Sequence, residues 1–398
     1  MATVTHYLIT NRQIDLVNGK EVIHRSGEER AIDDARISFR FARYTFDPVT
    51  PKDEGTVTLV SDLLPPAPVI ETFSGLLIPM SSESSPERLS DQGQNPQDTE
   101  DLTGSNQVFM ELFRTLKEAD SGNVLFFIHG YKTDLGVALS TVRALHEKYV
   151  RPGSDIQTII TFTWPSRKNL LLYLDDQYDA RLSGYALARV YQRLHDFLSE
   201  LFQTTTATPC RKYVHLMCHS MGNQVLYYML ERLGNQGISR RETFKQIVLV
   251  GADVPYDAFD RDQPLNQLIS LGERVHVYYH RRDLALVVST VTKFRQNRLG
   301  RVGFKNSNQV PDDVHEIDIT DGPSQDTDSL LRDLLRFDKD ELIQHWSYLS
   351  NQSVIDDIQK IFSTGKSGFR IINPPYPKNE GGQSQDISDA QGPGSADV

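Results

Sequence analysis

Between residues 107 and 372 the apolar positions follow two alternating rhythms. NVLFFIHG (123–130), TIITFTW (158–164), KYVHLMC (212–218), QIVLVGAD (246–253), RVHVYYHRRD (274–283) and VHEIDIT (314–320) are short runs rich in β-branched and aromatic residues. Each predicts a strand, and the wholly apolar ones predict strands buried on both faces. Between them, ALSTVRALHEKYV (138–150), ARLSGYALARVYQRLHDFLSELFQ (180–203) and GNQVLYYMLERLG (222–234) repeat apolar residues every three or four positions. That spacing predicts amphipathic helices, the last one ended by Gly234. A βαβα series of this length predicts an α/β fold, with a mostly parallel central sheet and helices on both faces. Ligands of such sheets sit outside the carboxyl ends of the strands, so chemistry is expected there.

The flanks break the rhythm. Residues 1–80 carry β-prone runs, HYLIT, ARISFRFARYTF, TVTLV and VIETFSGLLI, separated by turn-rich DPVTPKDEG and LPPAP. They predict a β-rich N-terminal extension that caps the pocket, packs on the sheet or binds a partner. Residues 81–106 hold almost no large apolar side chains and predict a linker or mobile loop. The tail, residues 373–398, is expected to be disordered for the same reason, which leaves residues 107–372 as the α/β domain.

Composition removes several classes. With 38% hydrophobic and 24% charged residues, the chain can bury a core. A net charge of -11 argues against a nucleic-acid partner, which needs a clustered basic face. No apolar run approaches the roughly 18 residues that a membrane span requires. The opening MATVTHYLITNRQID lacks a basic start and apolar core, so no secretory signal is expected. The two cysteines, Cys210 and Cys218, flank and end one predicted strand, an awkward geometry for a disulfide. Two reduced thiols, and hence a cytoplasmic location, are the expectation. His215 with His219 and His276 with His280 are spaced four apart, but on predicted strands, so neither a metal site nor a cofactor is expected.

Four predicted strand ends carry unusual polar residues. The first is His129-Gly130-Tyr131 and the second Cys218-His219-Ser220-Met221-Gly222. The third is Asp283, and the fourth is His345, downstream of the last strand. A serine held between strand and helix projects its oxygen above the sheet, beside N–H groups that can stabilise an oxyanion. Small residues two positions either side allow that turn; Gly222 satisfies the need, and Cys218 stands where glycine is usual. A serine needs a base, and the base an orienting acid. The order Ser220, Asp283, His345 supplies nucleophile, acid and base, with Asp253 at the end of QIVLVGAD as the rival acid. The backbone N–H groups of Met221 and Tyr131 are the candidate oxyanion donors. His129, Gly130, His219, Trp164 and Tyr173 are candidate substrate contacts, with Trp164 equally suited to the core.

With these residues in hand, the chain resembles the α/β-hydrolase superfamily, and more narrowly a bacterial family called domain of unknown function 900. The residues that carry the resemblance are FFIHGYKTD (126–134), FTWPS (162–166), Tyr173 and Asp176 with Ala180 and Ser183, and CHSMGNQVL (218–226). VLVGADV (248–254), VYYHRRDLAL (277–286) and HWSYL (345–349) complete it. The resemblance implies a triad of Ser220, Asp283 and His345 and a serine hydrolase cleaving an ester or similar acyl bond of a small or lipid-like substrate. An acyltransferase using the same site, and a catalytically silent hydrolase fold serving as an interaction module, are the alternatives. Cys218, and the lack of a glycine beside His345, depart from the usual pattern.

Overall fold

The computed structural model describes residues 3–25, 39–50, 54–60, 107–109, 111–112, 122–166, 173–204, 213–235, 237, 242–292, 296–321 and 344–369. The expected linker 81–106, the tail 373–398, the run VIETFSGLLI and Cys210 lie outside the described residues.

Eleven strands are described: β1 (Val4–Thr10), β2 (Ile14–Val17), β3 (Lys20–Ile23), β4 (Arg40–Phe46), β5 (Thr56–Leu59), β6 (Asn123–Ile128), β7 (Ile156–Thr163), β8 (Val214–His219), β9 (Phe244–Val250), β10 (Gly272–Tyr279) and β11 (Val314–Asp318). Nine form one sheet in the order β11-β10-β9-β8-β6-β7-β1-β4-β5. From β11 to β1 every pairing is parallel; β4 and β5 add antiparallel to the edge. The five main helices are α1 (Leu135–Tyr149), α2 (Tyr173–Thr204), α3 (Gly222–Asn235), α4 (Leu284–Thr292) and α5 (Gln352–Thr364).

Both faces of the sheet are buried, as its apolar runs demand. Phe126, Ile128, Leu216, Cys218, Ile247 and Leu249 share a core with α2 and α3 residues such as Leu187 and Val225. Their strand neighbours Leu125, Phe127, Met217, Val248 and Val250 turn to the other face, against Leu145 of α1 and Ile355 and Ile358 of α5. This is the period-two alternation of a strand, with a helix layer waiting on each side.

The N-terminal region is continuous with this sheet. β1 pairs parallel with β7, matching Tyr7 to Ile160 and Thr10 to Thr163. The three expectations for this region are capping the pocket, packing on the sheet or binding a partner; β1, β4 and β5 instead hydrogen-bond into the sheet and extend its edge. Asn18 and Gly19, both at positive φ, turn β2 into β3 as an unforeseen two-residue hairpin.

Strand order also marks a site. From β6 the chain goes to β7 on one side, then returns to place β8 on the other. The loops leaving β6 and β8 lead to helices on opposite faces of the sheet, and in sheets of this kind ligands bind at the carboxyl edge beside such a reversal.

Candidate active site

The strand β8 ends at His219, and α3 begins at Gly222. The two-residue turn between them forces Ser220 to φ 53°, a left-handed conformation that a residue with a side chain adopts reluctantly. The surroundings impose it. The Ser220 N–H donates to the carbonyl of Val250 (3.0 Å), and its own carbonyl accepts from the N–H groups of Asp253 (3.1 Å) and Asn223 (3.1 Å). The Asn223 side chain adds a third donor to that carbonyl at 2.9 Å. Ser220 is thus pinned to the start of α3 and to the end of β9 at once.

The motif's small residues are explained by contact. A Cβ on Gly222 would lie 2.7 Å from the carbonyl oxygens of Ile128 and His129, and one on Gly130 would lie 2.6 Å from Ser220 Cβ. The loop after β6 therefore packs directly on the serine turn. Cys218, at the position where glycine is usual, is fully buried, and that burial pushes its thiol well above its ordinary range. It serves as a small apolar side chain.

Asp283 stands just beyond β10. Its Oδ1 accepts from the Leu286 N–H (3.1 Å), capping α4, while its Oδ2 lies 2.7 Å from His345 Nδ1. Both residues are buried. Burial alone would lower the His345 pKa; the Asp283 charge and hydrogen bond, with a smaller contribution from the Asp253 charge, reverse this and raise it. With its Nδ1 proton held by the carboxylate, His345 presents Nε2 as a proton acceptor.

Gly251 joins the two halves. It follows Val250, the acceptor of the Ser220 N–H, and a Cβ on it would sit 3.1 Å from His345 Nδ1. With φ at 52° it favours glycine twice over. His219, beside the serine, donates from Nε2 to the His345 carbonyl at 2.9 Å and packs its ring 4.7 Å from the His345 ring. Its pKa falls well below the ordinary value, first through burial and then through the neighbouring His345. His219 is therefore a neutral brace for His345 at the described contacts, enclosed by Trp346 and Tyr348. Neither that brace nor the Gly251 contact was foreseen from the sequence, although the glycine in VLVGAD marks a place where a backbone turns or is closely approached.

Asp253 is held elsewhere. Its carboxylate accepts from Ser289 Oγ (2.5 Å) and Gln224 Nε2 (3.1 Å) and pairs with the buried Arg298 guanidinium at 3.5 Å. Its position accords with the end of β9, but its hydrogen bonds point into this second cluster, whereas the bond to His345 Nδ1 comes from Asp283.

His129 and Trp164 are enclosed. His129 donates from Nδ1 to the Gly130 carbonyl (2.9 Å), and its Nε2 accepts from the Trp164 N–H (3.1 Å). The Trp164 indole N–H returns to the His129 carbonyl at 2.9 Å, and the two rings stack. Burial above all, and then the Arg12 charge, hold the His129 pKa at about 3. Both residues shape the loop that carries Gly130 and Tyr131. Met221 contributes its side chain to the core under α3, and its N–H makes no hydrogen bond to the described residues. Tyr173 opens α2, with its side chain outside the described ones.

No group of three or more histidine, cysteine, aspartate or glutamate side chains among the described residues has a metal-holding arrangement. No described helix is long and apolar enough to cross a membrane.

No curated protein matches the chain. The model of a family described as alpha/beta hydrolases of unknown function, DUF900, matches residues 105–363, the stretch that holds β6 to β11, Ser220, Asp283 and His345. The chain belongs to this alpha/beta-hydrolase family of unknown function.

Proposed function

We propose that the chain is a serine hydrolase that cleaves an ester or similar acyl bond through Ser220, His345 and Asp283. The observation that carries this reading is the buried Asp283–His345 hydrogen bond of 2.7 Å, with its histidine held at 2.9 Å by His219, the residue that precedes Ser220 at φ 53°. In the proposed sequence, His345 Nε2 takes the Ser220 hydroxyl proton as Oγ attacks the substrate carbonyl. Asp283 stabilises the imidazolium that forms. The negative charge gathering on the carbonyl oxygen is met by the N–H groups of Met221, at the positive end of α3, and Tyr131. His345 then returns the proton to the leaving alcohol, and water attacks the acyl-serine with His345 again as base. No cofactor enters these steps. An alcohol or amine in place of water would make the same site an acyltransferase.

The substrate is proposed as a small or lipid-like ester, and the location as cytoplasmic, in keeping with the free, buried Cys218. The test is labelling with a fluorophosphonate probe at neutral pH, comparing the protein with Ser220→Ala. Labelling that disappears in the variant is expected. A folded protein that takes no Ser220-dependent label would leave the fold as a silent module and overturn the reading.

A further inference from the structure

We propose that Arg12 is a positioning residue for the loop that carries the oxyanion donor Tyr131, so that the N-terminal segment forms part of the catalytic apparatus. The inference rests on the serine-hydrolase reading above. Because β1 runs parallel to β7, its carboxyl end arrives at the same edge of the sheet as the ends of β6 and β8. An antiparallel strand would have delivered residues 10–12 to the opposite edge.

Arg12 lies just past that end, buried to 3% exposure. Its guanidinium is a long, costly group to enclose, and burial lowers its pKa to about 10 despite the nearby Asp134 charge. Its donors go to two places on the catalytic edge. Nη2 donates to the carbonyl of Thr133 (2.6 Å), and Nε donates to Thr163 Oγ1 (3.0 Å). The backbone is fixed in turn: Thr10 Oγ1 donates to the Thr163 carbonyl at 2.9 Å and accepts from the Arg12 N–H at 3.0 Å.

Thr163 passes the constraint on. Its Oγ1 sits 3.2 Å from His129 Nε2, the nitrogen that also accepts from the Trp164 N–H. A nitrogen with two donors holds no proton, so His129 carries its proton on Nδ1, where it is given to the Gly130 carbonyl. The chain Arg12–Thr163–His129–Gly130 thus sets the orientation of the peptide that precedes Tyr131. From the other side, Arg12 holds Thr133, and the Lys132 N–H donates to the buried Ser166 Oγ at 2.8 Å while Lys132 itself is at φ 60°. Residues 129 to 133 are clamped at both ends, and the Tyr131 N–H lies between the clamps. The planar fork of an arginine can reach two acceptors in fixed directions, which a lysine cannot.

Arg12 falls outside residues 105–363, the span of the family match. Its role would therefore be invisible to a comparison confined to the hydrolase core.

The test uses the full chain. Turnover of a short p-nitrophenyl ester is measured for wild type, Arg12→Ala, Arg12→Lys and Thr163→Val. Rates are normalised to sites titrated by the fluorophosphonate probe, and folding is checked by thermal unfolding. A displaced oxyanion donor acts in the transition state, so kcat is expected to fall by about 10- to 100-fold with KM little changed. Free guanidinium at sub-denaturing concentration is expected to restore part of the rate to Arg12→Ala, while Arg12→Lys stays impaired. If Arg12→Ala does not fold, Thr163→Val carries the test, since it cuts the link to His129 with Arg12 in place. Folded variants that turn over as wild type does, site for site, would overturn the role of Arg12 alone. A wild type without Ser220-dependent labelling would instead overturn the hydrolase reading, and this inference with it.

Discussion

Asp283 and His345, 62 positions apart in the chain, meet through a 2.7 Å hydrogen bond buried at the carboxyl edge of the sheet. The carboxylate reaches histidine Nδ1 with one oxygen and caps α4 with the other. It is therefore rigidly aimed, and its aim sets both the tautomer and the basicity of His345.

Replacing either aspartate of the site separates their roles. Asp283→Asn is expected to lower kcat on a model ester by on the order of 10^4, because the amide favours the wrong histidine tautomer. Asp253→Asn is expected to act chiefly on stability. It strips the buried Arg298 of its counter-charge, a loss of about 3–5 kcal/mol. Denaturant titrations alongside kinetics check both, and a catalytic collapse confined to folded Asp253→Asn would reassign the acid.

The pH–rate profile carries a second expectation. In the proposed mechanism His345 must be neutral to accept the serine proton, and its pKa is raised in the folded protein. The acid limb of kcat/KM is therefore expected above the ordinary histidine value of 6.5. Asp283→Asn removes the charge and bond that raise it, so the residual activity should show that limb at lower pH. A limb unmoved by the substitution would mean that another group controls it.

Close packing at the glycines gives a third. Gly130→Ala places a methyl 2.6 Å from Ser220 Cβ, and Gly251→Ala presses on the His345 ring from a backbone at φ 52°. Both should reduce turnover by at least about 10-fold, since displacements near 1 Å at reacting groups have effects of that size. Gly153→Ala is the control: it also sits at positive φ, at 85°, but meets nothing within 4 Å, so strain alone should leave kcat intact.

Stability should collapse in acid. His6, His129, His215 and His276 are each lowered to about 3, in every case chiefly by burial. Their folded values lie below the unfolded value of 6.5, so the unfolded chain takes up protons first. The stability that this represents is complete above pH 6.5 and is lost as pH falls toward 3. Four such groups give a slope on the order of 5 kcal/mol per pH unit in the middle of that window. His345 works in the opposite sense, its contribution being present below 6.5 and lost as pH rises through its raised value. Unfolding free energies measured at pH 7.5, 6 and 5 test the balance. A flat profile would show that these histidines are already open to solvent.

Much of this molecule is legible in its sequence, for local reasons. Short β-branched and aromatic runs such as VLFFI and IVLV read as strands enclosed on both sides, and helical spacing between them points to a parallel sheet. The strand–Ser220–helix turn is likewise written locally, in a small residue and a glycine two positions either side of the serine. Those signals need no partner to be read. Tertiary structure alone decided the rest. Asp253 and Asp283 both lie in loops just past β-strands, and only packing directs one carboxylate to Arg298 and the other to His345. His129, Trp164 and His219 read as candidate pocket residues because polar and aromatic side chains sit near the motif. Their hydrogen bonds run to backbone groups and to the Thr163 hydroxyl, and several of those neighbours lie 34 to 126 positions away. Arg12 carries no local mark at all. Its significance comes from a parallel pairing between β1 and β7, a contact across more than 150 residues that no short window of sequence contains.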